Sequence, residues 1–388
     1  MADMETMVIR PDPAFAQRLM ANGGETLKKC FQCGNCSVVC NISPDGAPFP
    51  RKEMVWAQWG LADKLLGNAD VWICHGCADC TTHCPRGAKP GDVMAAVRNI
   101  SFKHYAAFDF MGDMLLGAKW IWLLLLVPVV WIGGMISVAA RPGFMEMKPI
   151  VFSNMMPVHA IDAIFIPAAS LMALSALIGL SRFWRDLKKG SPGLATPAGS
   201  LIPAALAVIK GIALHEKMGK CVTNSYRYSS HLMAMYGFFA LMATTTCVAL
   251  MYWINKLHLG SVASTPLALS HPVKILGNLG ALLAVTGVTM IVSRRFGQSG
   301  EKTGSLTYYD SHFILVLYIT ILTGILSEIL RLLDVAPLAF GTYFVHLVMV
   351  FTLIIYAPFS KFAHLMYRFT AMTFAKMGRR ERPVGSGD

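Results

Sequence analysis

The chain has 388 residues, of which 55% are hydrophobic and only 14% are charged, and its mean hydropathy is +0.51. This composition excludes an ordinary soluble protein and predicts several membrane spans. The net charge of +12 would fit a nucleic-acid partner, but the basic residues cluster beside apolar runs. Because that distribution is typical of the cytoplasmic edge of a membrane protein, we predict contact with lipid and no nucleic-acid partner.

The first twenty residues, MADMETMVIRPDPAFAQRLM, lack the basic start and apolar core of a signal peptide. We therefore expect the N-terminal part to stay in the cytoplasm, where thiols remain reduced. Eight cysteines follow in two runs, CFQCGNCSVVC at 30–40 and CHGCADCTTHC at 74–84. In a reducing compartment, so dense a set of thiols indicates metal binding rather than disulfides.

Both runs have the form C-x-x-C-x-x-C-x-x-x-C, which is typical of proteins with two [4Fe–4S] clusters. Three thiols at a spacing of three wrap one cluster, and the fourth thiol ligates the other. Two zinc sites are the alternative, but zinc ribbons pair C-x-x-C knuckles without the third cysteine of these runs. We predict one cluster on Cys30, Cys33, Cys36 and Cys84, and a second on Cys74, Cys77, Cys80 and Cys40.

Two further segments accompany the cysteine runs. Residues 51–67 have apolar side chains at roughly helical spacing, which predicts one short helix between the runs. Residues 93–119 mix charged with aromatic and aliphatic residues. Either an amphipathic helix leading into the bilayer or a soluble helix packed on the cluster domain would fit this pattern.

Six apolar stretches follow, each near the ~20 residues that cross a bilayer, at about 120–140, 157–181, 231–254, 272–293, 311–331 and 336–360. The predicted fold is all-α, with a double [4Fe–4S] ferredoxin-like domain followed by a six-helix transmembrane bundle. The predicted divisions are a lead-in at 1–29, the two-cluster domain at 30–98, an amphipathic connector at 99–119, the transmembrane domain at 120–368 and a cytoplasmic tail at 369–388.

Basic residues orient the six spans. Segment 181–230 has eight Lys/Arg, segment 294–310 has three, and the tail from 361 has six. The opposite loops hold little beyond Arg141, Lys148 and Lys256. The positive-inside rule therefore predicts an inner-membrane protein with both termini and the iron–sulfur domain in the cytoplasm.

Ionisable residues inside spans are costly, so each is a candidate for function. His346 and His364 are eighteen residues apart, which on one continuous helix is five turns, or about 27 Å along one face. One helix would then offer an axial ligand to each of two haems. Each haem needs a second ligand, and the spans place His231 and His312 level with His364, and His159 and His271 level with His346.

We favour His231 with His364 at the cytoplasmic haem and His159 with His346 at the periplasmic haem, with His271 close behind. The alternative role for any one of these histidines is to cap a helix at the interface. His215, within the basic segment 181–230, is predicted to be a surface residue.

The segment VHLVMVFTLIIYAPFSKFAHLMY resembles the last helix of the cytochrome b subunit of respiratory nitrate reductase. The resemblance implies that His346 and His364 match the two haem histidines of that helix. The segment YRYSSHLMAMYGFFALMATTTC resembles the earlier haem helix of the family, with His231 at its first histidine. The family's second histidine falls at Leu241 here, so the second haem b needs a substitute ligand such as His159 or is absent.

The front domain resembles the small iron–sulfur subunit of heterodisulfide reductase. A fusion of that subunit with this cytochrome is characteristic of the membrane cytochrome subunit in the quinone-interacting membrane-bound oxidoreductases of sulfate reducers. The resemblance covers nearly the whole chain beyond residue 25. It implies a complex with two soluble flavin and iron–sulfur subunits, which exchange electrons with adenylylsulfate reductase.

The predicted function is therefore that of an oxidoreductase subunit that conducts electrons, with menaquinone as its membrane substrate and without catalytic residues of its own. Quinone chemistry also moves protons, and Lys274, His271, Glu328 and Asp162 are polar candidates on the periplasmic side. Lys274 lies roughly where the nitrate reductase family has a quinone-site lysine. The alternatives are that Lys274 snorkels to the interface and that Glu328 pairs with Arg331.

Two other functions stay open at this point. The chain could be the membrane subunit of a heterodisulfide reductase-type complex that acts on thiol disulfides. It has no Cys-Cys-Gly motif, so the disulfide chemistry would then occur in another subunit. A zinc-stabilised membrane scaffold without redox function would be colourless.

Overall fold

The computed structural model describes residues 9–44, 46–116, 120–190, 200–216, 218, 226–297 and 306–378. The regular secondary structure of these ranges is helical, which confirms the all-α prediction. Parts of the predicted lead-in (1–8), connector (117–119) and tail (379–388) lie outside the described residues.

Short helices build the N-terminal part around one apolar core. Asp12 caps the first helix, because its Oδ1 accepts hydrogen bonds from the backbone N–H groups of Ala14 (2.9 Å) and Phe15 (3.2 Å). Phe15 and Trp72 are each 1% exposed. The helices are α1 (Pro13–Leu19), α2 (Asn35–Val38), α3 (Arg51–Trp59), α4 (Ala62–Leu66), α5 (Ala69–Ile73), α6 (Asp79–Thr82), α7 (Pro90–Tyr105) and α8 (Asp109–Leu116).

The prediction of one helix over 51–67 is wrong, because the chain breaks at Gly60 between α3 and α4. Gly60 has φ +69°, a left-handed conformation that favours glycine. A Cβ at this position would lie 1.8 Å from the carbonyl oxygen of Asp12. The break therefore lets the start of α1 pack directly against the end of α3.

Helix α7 crosses the predicted boundary between the cluster domain and the connector at 98/99. Its residues Phe102 and Tyr105 are buried, and the ring of Phe102 lies 5.3 Å from that of Trp72. The soluble-helix alternative therefore describes residues 93–105 better than an interfacial helix does, because this helix buries its apolar side chains in the domain core.

Six helices are long and apolar enough to cross a membrane within the part of the chain that the structure describes. They are α9 (Ile121–Ala139), α10 (Val158–Gly190), α12 (Tyr226–Lys256), α13 (Pro272–Gly297), α14 (Tyr308–Leu332) and α15 (Ala336–Tyr356). The prediction of six spans is confirmed, although α10 and α12 extend beyond the predicted bounds by several residues.

Helices α12 and α13 pack closely through small residues. A Cβ at Gly237 of α12 would lie 2.4 Å from the backbone nitrogen of Ala284, and a Cβ at Gly287 would lie 2.4 Å from that of Ala234. In a bilayer, small residues drive helix association because they let two backbones approach. This packing fixes α12, which carries His231.

The expectation that His346 and His364 share one helix is wrong. Helix α15 ends at Tyr356, two short turns follow, and α16 (His364–Met377) begins at the second histidine. Pro358 cannot donate a helical hydrogen bond, and Ser360 has extended backbone angles (φ −101°, ψ 177°). Helix α16 also continues through the predicted boundary at 368/369, so the segment assigned to the tail begins inside a buried helix.

A short apolar helix lies between the second and third spans. This helix, α11 (Leu201–Ala213), has 13 residues, too few to cross a bilayer, and it packs against α16. The run LIPAALAVIKGIAL indicates this helix, but the run is shorter than a membrane span, so span length alone does not predict it.

A buried carboxyl pair predicts how the stability of the N-terminal part depends on pH. Burial and the neighbouring carboxylate of Asp70 raise the pKa of Glu53 to about 8, although Lys52 opposes the shift. Asn68 Nδ2 donates to Glu53 Oε1 at 2.9 Å, and Lys52 Nζ lies 2.6 Å from Asp70 Oδ2. The folded state therefore holds the proton of Glu53 more tightly than the unfolded state does.

We expect the stability of this part to fall as pH rises from about 4.5, the ordinary pKa of the group, through about 8. Glu53→Gln keeps the acceptor for Asn68 without the ionisation, so it should flatten this dependence and raise the melting temperature at pH 8 by several degrees. Tryptophan fluorescence of the detergent-solubilised chain measures it. Glu25→Gln, at an exposed position, is the control. An unchanged slope in Glu53→Gln would contradict the assignment.

Candidate functional site

The two cysteine runs fold into the same turn. The residue two after the first cysteine has φ +61° at Gln32 and +59° at Gly76, and the residue after the second cysteine has +86° and +70°. This turn aims a backbone N–H at the first thiol of each run, from Gln32 to Cys30 Sγ (3.5 Å) and from Gly76 to Cys74 Sγ (3.4 Å). Such N–H···S bonds tune the potentials of iron–sulfur clusters.

The structure brings the last cysteine of the second run to the first run. Cys84 lines one cavity together with Cys30, Cys33 and Cys36. The backbone N–H of Ala88 donates to Cys84 Sγ at 3.3 Å, which orients the thiol. These are the four thiols that the spacing predicted for one cluster.

The converse exchange places Cys40 beside the second run. Burial and, to a smaller extent, the repulsion of thiolates at Cys74 and Cys77 raise the pKa of Cys40 to about 11. The pKa of Cys80 is raised by burial and then by Cys74 and Cys77, with smaller effects from Cys36 and Cys40. The two sets of thiols are therefore neighbours, and iron must displace their protons.

The chemistry of the donor set fits clusters better than zinc. Among the described residues, no three His, Cys, Asp or Glu side chains gather around a single-ion position. A tetrahedral zinc site would need four ligands within about 2.0–2.3 Å of one ion. The all-thiolate donor set of two C-x-x-C-x-x-C-x-x-x-C runs is typical of [4Fe–4S] clusters.

A group of three histidines lies where α11, α12 and α16 meet. The rings of His231 and His364 have centroids 6.3 Å apart and are inclined at 79°. His215 Nε2 lies 2.8 Å from His231 Nδ1, and His364 Nδ1 lies 2.6 Å from the carbonyl oxygen of Lys361. Both Nδ1 atoms are engaged, which leaves Nε2 of His231 and of His364 available to a metal.

This geometry fits a bis-histidine haem. If each Nε2 lay about 2 Å from one iron between them, the two ring centroids would be about 6 Å apart. The prediction that His215 lies at the surface is wrong: it is buried, with 6% of its surface exposed, because α11 brings it onto His231. The apolar run before His215 was the signal that could have placed it.

The second predicted haem position is less complete. His346 Nδ1 lies 3.0 Å from the carbonyl oxygen of Thr320, and a Cβ at Gly324 would lie 2.9 Å from its Cε1. His159 is exposed on α10, whereas His346 contacts α14. Leu241, at the position of the family's second histidine, packs beside Ala284, Val288 and Ile321.

Other predicted candidates occupy separate positions. His312 is buried with its ring 6.0 Å from that of Tyr308. His271 precedes α13, and its Nδ1 accepts a hydrogen bond from the backbone N–H of Val273 at 3.3 Å. Asp162 accepts a hydrogen bond from Trp253 Nε1 at 3.0 Å.

Lys274 and Glu328 form an ion pair between α13 and α14, with Nζ and Oε2 2.6 Å apart. The alternatives of snorkelling for Lys274 and of an Arg331 partner for Glu328 are therefore not what the structure shows. Each side chain is about one-fifth exposed, at 22% and 23%. Glu328 follows Gly324, which lies against His346, by one helical turn.

Arginines join the histidine group to the second cysteine turn. Arg368 lies one turn after His364 on α16, and its Nη1 donates to the carbonyl oxygen of Cys74 at 3.4 Å. Its Nη2 lies 2.7 Å from His75 Nδ1. Arg98 Nη1 donates to the same Cys74 carbonyl at 3.1 Å, and Arg227 of α12 donates to the carbonyl of Gly76. Helices of the bundle thus hold the Cys74 turn directly.

Comparisons with known proteins cover the whole chain. The citrate utilization protein B family matches residues 113–385, and a 4Fe-4S dicluster domain matches residues 26–88. Citrate utilization protein B of Escherichia coli is 26% identical over 99% of this chain and 98% of its own length. No solved structure matches.

The N-terminal part has relatives of its own. A subunit of the H2:CoB-CoM heterodisulfide,ferredoxin reductase of Methanothermobacter marburgensis is 36% identical over 24% of this chain and 50% of its own. A heterodisulfide reductase subunit-like protein of Archaeoglobus profundus is 38% identical over 22% of this chain and 45% of its own. This chain thus spans about half the length of these relatives. The dicluster match supports two [4Fe–4S] clusters in the N-terminal part.

Proposed function

This chain belongs to the citrate utilization protein B family, and we propose that it exchanges electrons between a membrane quinone and soluble flavin and iron–sulfur subunits. The observation that carries the proposal is the direct attachment of the Cys74 turn to α16. That helix begins with His364, and its Arg368 donates a hydrogen bond to the carbonyl oxygen of Cys74 in the turn. Haems and clusters, when bound, supply one-electron transfer.

In this proposal the chain holds two haems within the bilayer and two clusters in the N-terminal part outside it. His231 and His364 would hold one haem b through Nε2, with His215 and the Lys361 carbonyl fixing the rings. His346 would hold a second haem b with His159. The ligand sets of the clusters are the two sets of four thiols, with Cys84 and Cys40 exchanged between the runs.

We further propose menaquinone as the membrane substrate and adenylylsulfate reductase as the protein that the soluble subunits serve. The fusion of a heterodisulfide reductase-like iron–sulfur part with a membrane bundle supports this proposal. The basic segments also support it, because they favour an inner-membrane protein whose iron–sulfur domain lies in the cytoplasm. The name of the Escherichia coli relative refers instead to citrate utilization.

A heterodisulfide reductase-type complex is the second candidate, because relatives named for that reductase match the front part at 36–38% identity. The complex purified with its native partners separates the two. We expect electrons from menaquinol to reduce adenylylsulfate reductase. We expect no menaquinol-dependent reduction of a thiol disulfide. Turnover with the disulfide alone would overturn the first candidate.

The Lys274–Glu328 pair predicts where quinol is oxidised. In a protein interior a paired lysine and carboxylate can bind a quinone oxygen and accept its proton, and this pair lies one turn from the contact between Gly324 and His346. Lys274→Met and Glu328→Gln should each slow oxidation of a menaquinol analogue by roughly tenfold or more. The rate is followed as reduction of the bound cofactors in proteoliposomes.

The control for Lys274→Met is Lys256→Met, an exposed lysine at the end of α12 on the same predicted side. Its rate should equal that of the unchanged chain. Equal rates of quinol oxidation in Lys274→Met and in the control would contradict the assignment of this pair to the quinone site.

A further inference from the structure

The two cysteine turns differ in what surrounds them. The Cys74 turn is held by Arg98 of α7, Arg227 of α12 and Arg368 of α16, so it faces the membrane helices. The cavity of the Cys30 turn is lined by residues 30–36, 51, 84–86, 88 and 90, all from the N-terminal part, and Cys33 is exposed. The first set of thiols, which includes the exposed Cys33, is therefore the more accessible one for a soluble protein.

The surface around the Cys30 turn carries exposed apolar side chains. Phe31 is 69% exposed and Val38 is 84% exposed, which is unusual for such residues on a soluble face. The guanidinium carbon of Arg86 lies 4.1 Å from the centroid of the Phe31 ring. An aromatic ring stacked with arginine is the composition typical of the energetic centre of a protein interface.

Positive charge surrounds these side chains. Lys28, Lys29, Arg51 and Arg86 are exposed around the turn. In the described residues 26–44 and 74–89 the one acidic side chain is Asp79, which is 5% exposed. This face therefore presents an apolar centre with a rim in which basic side chains predominate, although Glu25 is also exposed beside Thr26. Such an excess of positive charge steers an oppositely charged partner into register.

We propose that this surface, an apolar centre of Phe31 and Val38 with a cationic rim of Lys28, Lys29, Arg51 and Arg86, docks a soluble electron-transfer protein whose redox centre is surrounded by acidic side chains. The inference rests on the proposed function in naming electron exchange as the purpose of the contact. Phe31 and Val38 enter the apolar centre of the contact, and the four basic side chains pair with carboxylates around it.

The test uses the full chain in detergent with its cofactors bound. The probe is purified flavodoxin, an acidic flavoprotein, and basic cytochrome c is the probe of opposite charge. We expect flavodoxin to bind, with affinity falling roughly tenfold between about 20 and about 200 mM salt. Carbodiimide should cross-link its carboxylates to Lys28 or Lys29, as mapped by mass spectrometry of the peptides.

Variants locate the contact. Arg86→Glu and Val38→Asp should each weaken flavodoxin binding roughly tenfold. The double variant Lys28→Glu/Lys29→Glu provides the same test without altering the cavity lining. The control is Lys189→Glu. Lys189 has 80% of its side chain exposed at the end of α10, a helix that packs beside α4 rather than at the Cys30 turn. Retained cluster absorbance shows that a variant is folded.

Wild-type affinity in the variants, cross-links only at other lysines, or preferential binding of cytochrome c would overturn the docking surface. So would displacement of flavodoxin by phosphatidylglycerol vesicles, because the rim would then contact lipid. None of these readouts needs quinone or haem. Loss of menaquinol oxidation with intact flavodoxin binding would therefore refute the proposed function alone, and the converse would refute the docking surface alone.

Discussion

His364→Ala and His231→Ala should remove the same haem from the purified chain. Their ring centroids are 6.3 Å apart, and the Nδ1 atom of each ring is already engaged, by Lys361 or by His215. Loss of either imidazole leaves one axial position without a ligand, so we expect the haem content to fall by one in each variant. The haem content and the low-temperature absorbance bands measure it.

The other histidines act as controls for that result. His346→Ala should remove a different absorbance band, because His346 lies against Thr320 and Gly324 of α14. His258→Ala, at an exposed position after α12, should remove none. Loss of different haems in His231→Ala and His364→Ala would refute the pairing.

His215→Ala should leave the haem bound and change its ligand-field spectrum. His215 contacts the Nδ1 side of His231 rather than the side that faces His364, so it orients a ligand without replacing one. Complete loss of the haem in this variant would make His215 a ligand and would require a new assignment for His231.

Cys84→Ser should alter the cluster held by Cys30, Cys33 and Cys36. Cys84 lines their cavity although it belongs to the second run in sequence. Serine has a harder and less acidic oxygen in place of the thiolate, so we expect loss of the cluster or a large shift of its EPR signal and reduction potential. The signal of the cluster at Cys74, Cys77 and Cys80 should persist.

Cys247→Ser is the matched control, because Cys247 lies on α12 away from both runs and should leave both EPR signals unchanged. Cys40→Ser provides the reciprocal test and should alter only the other cluster. A spectrum of Cys84→Ser in which only the Cys74 cluster changes would reject the exchange of ligands between the runs.

Local patterns in the sequence predicted much of this architecture. The repeated cysteine spacing is a local property, so it specified both thiol sets, and the structure gathers the same four side chains at the first cavity. The apolar stretches specified six spans because a bilayer imposes their length.

Predictions that depended on a helix continuing, or on contacts between distant residues, were wrong or were not made. Helical periodicity predicted that His346 and His364 share one face of a single helix. The helix instead ends at Tyr356, and Pro358 and Ser360 interrupt the chain before the second histidine. The apolar run before His215 indicates α11, but the contact of His215 with His231 depends on how α11 packs against α16, which no local pattern specifies. The Lys274–Glu328 pair joins residues 54 positions apart in the chain, which no spacing rule connects.

A redox titration of the purified full chain, followed by optical absorbance and EPR together, tests the central claim of membrane electron transfer most directly. The predicted result is two [4Fe–4S] signals that broaden each other when both are reduced, since Cys36 and Cys80 bring the two sets of thiols together, along with b-type haem bands that titrate separately. A colourless chain, or one that contains zinc and gives no iron–sulfur signal, would contradict it.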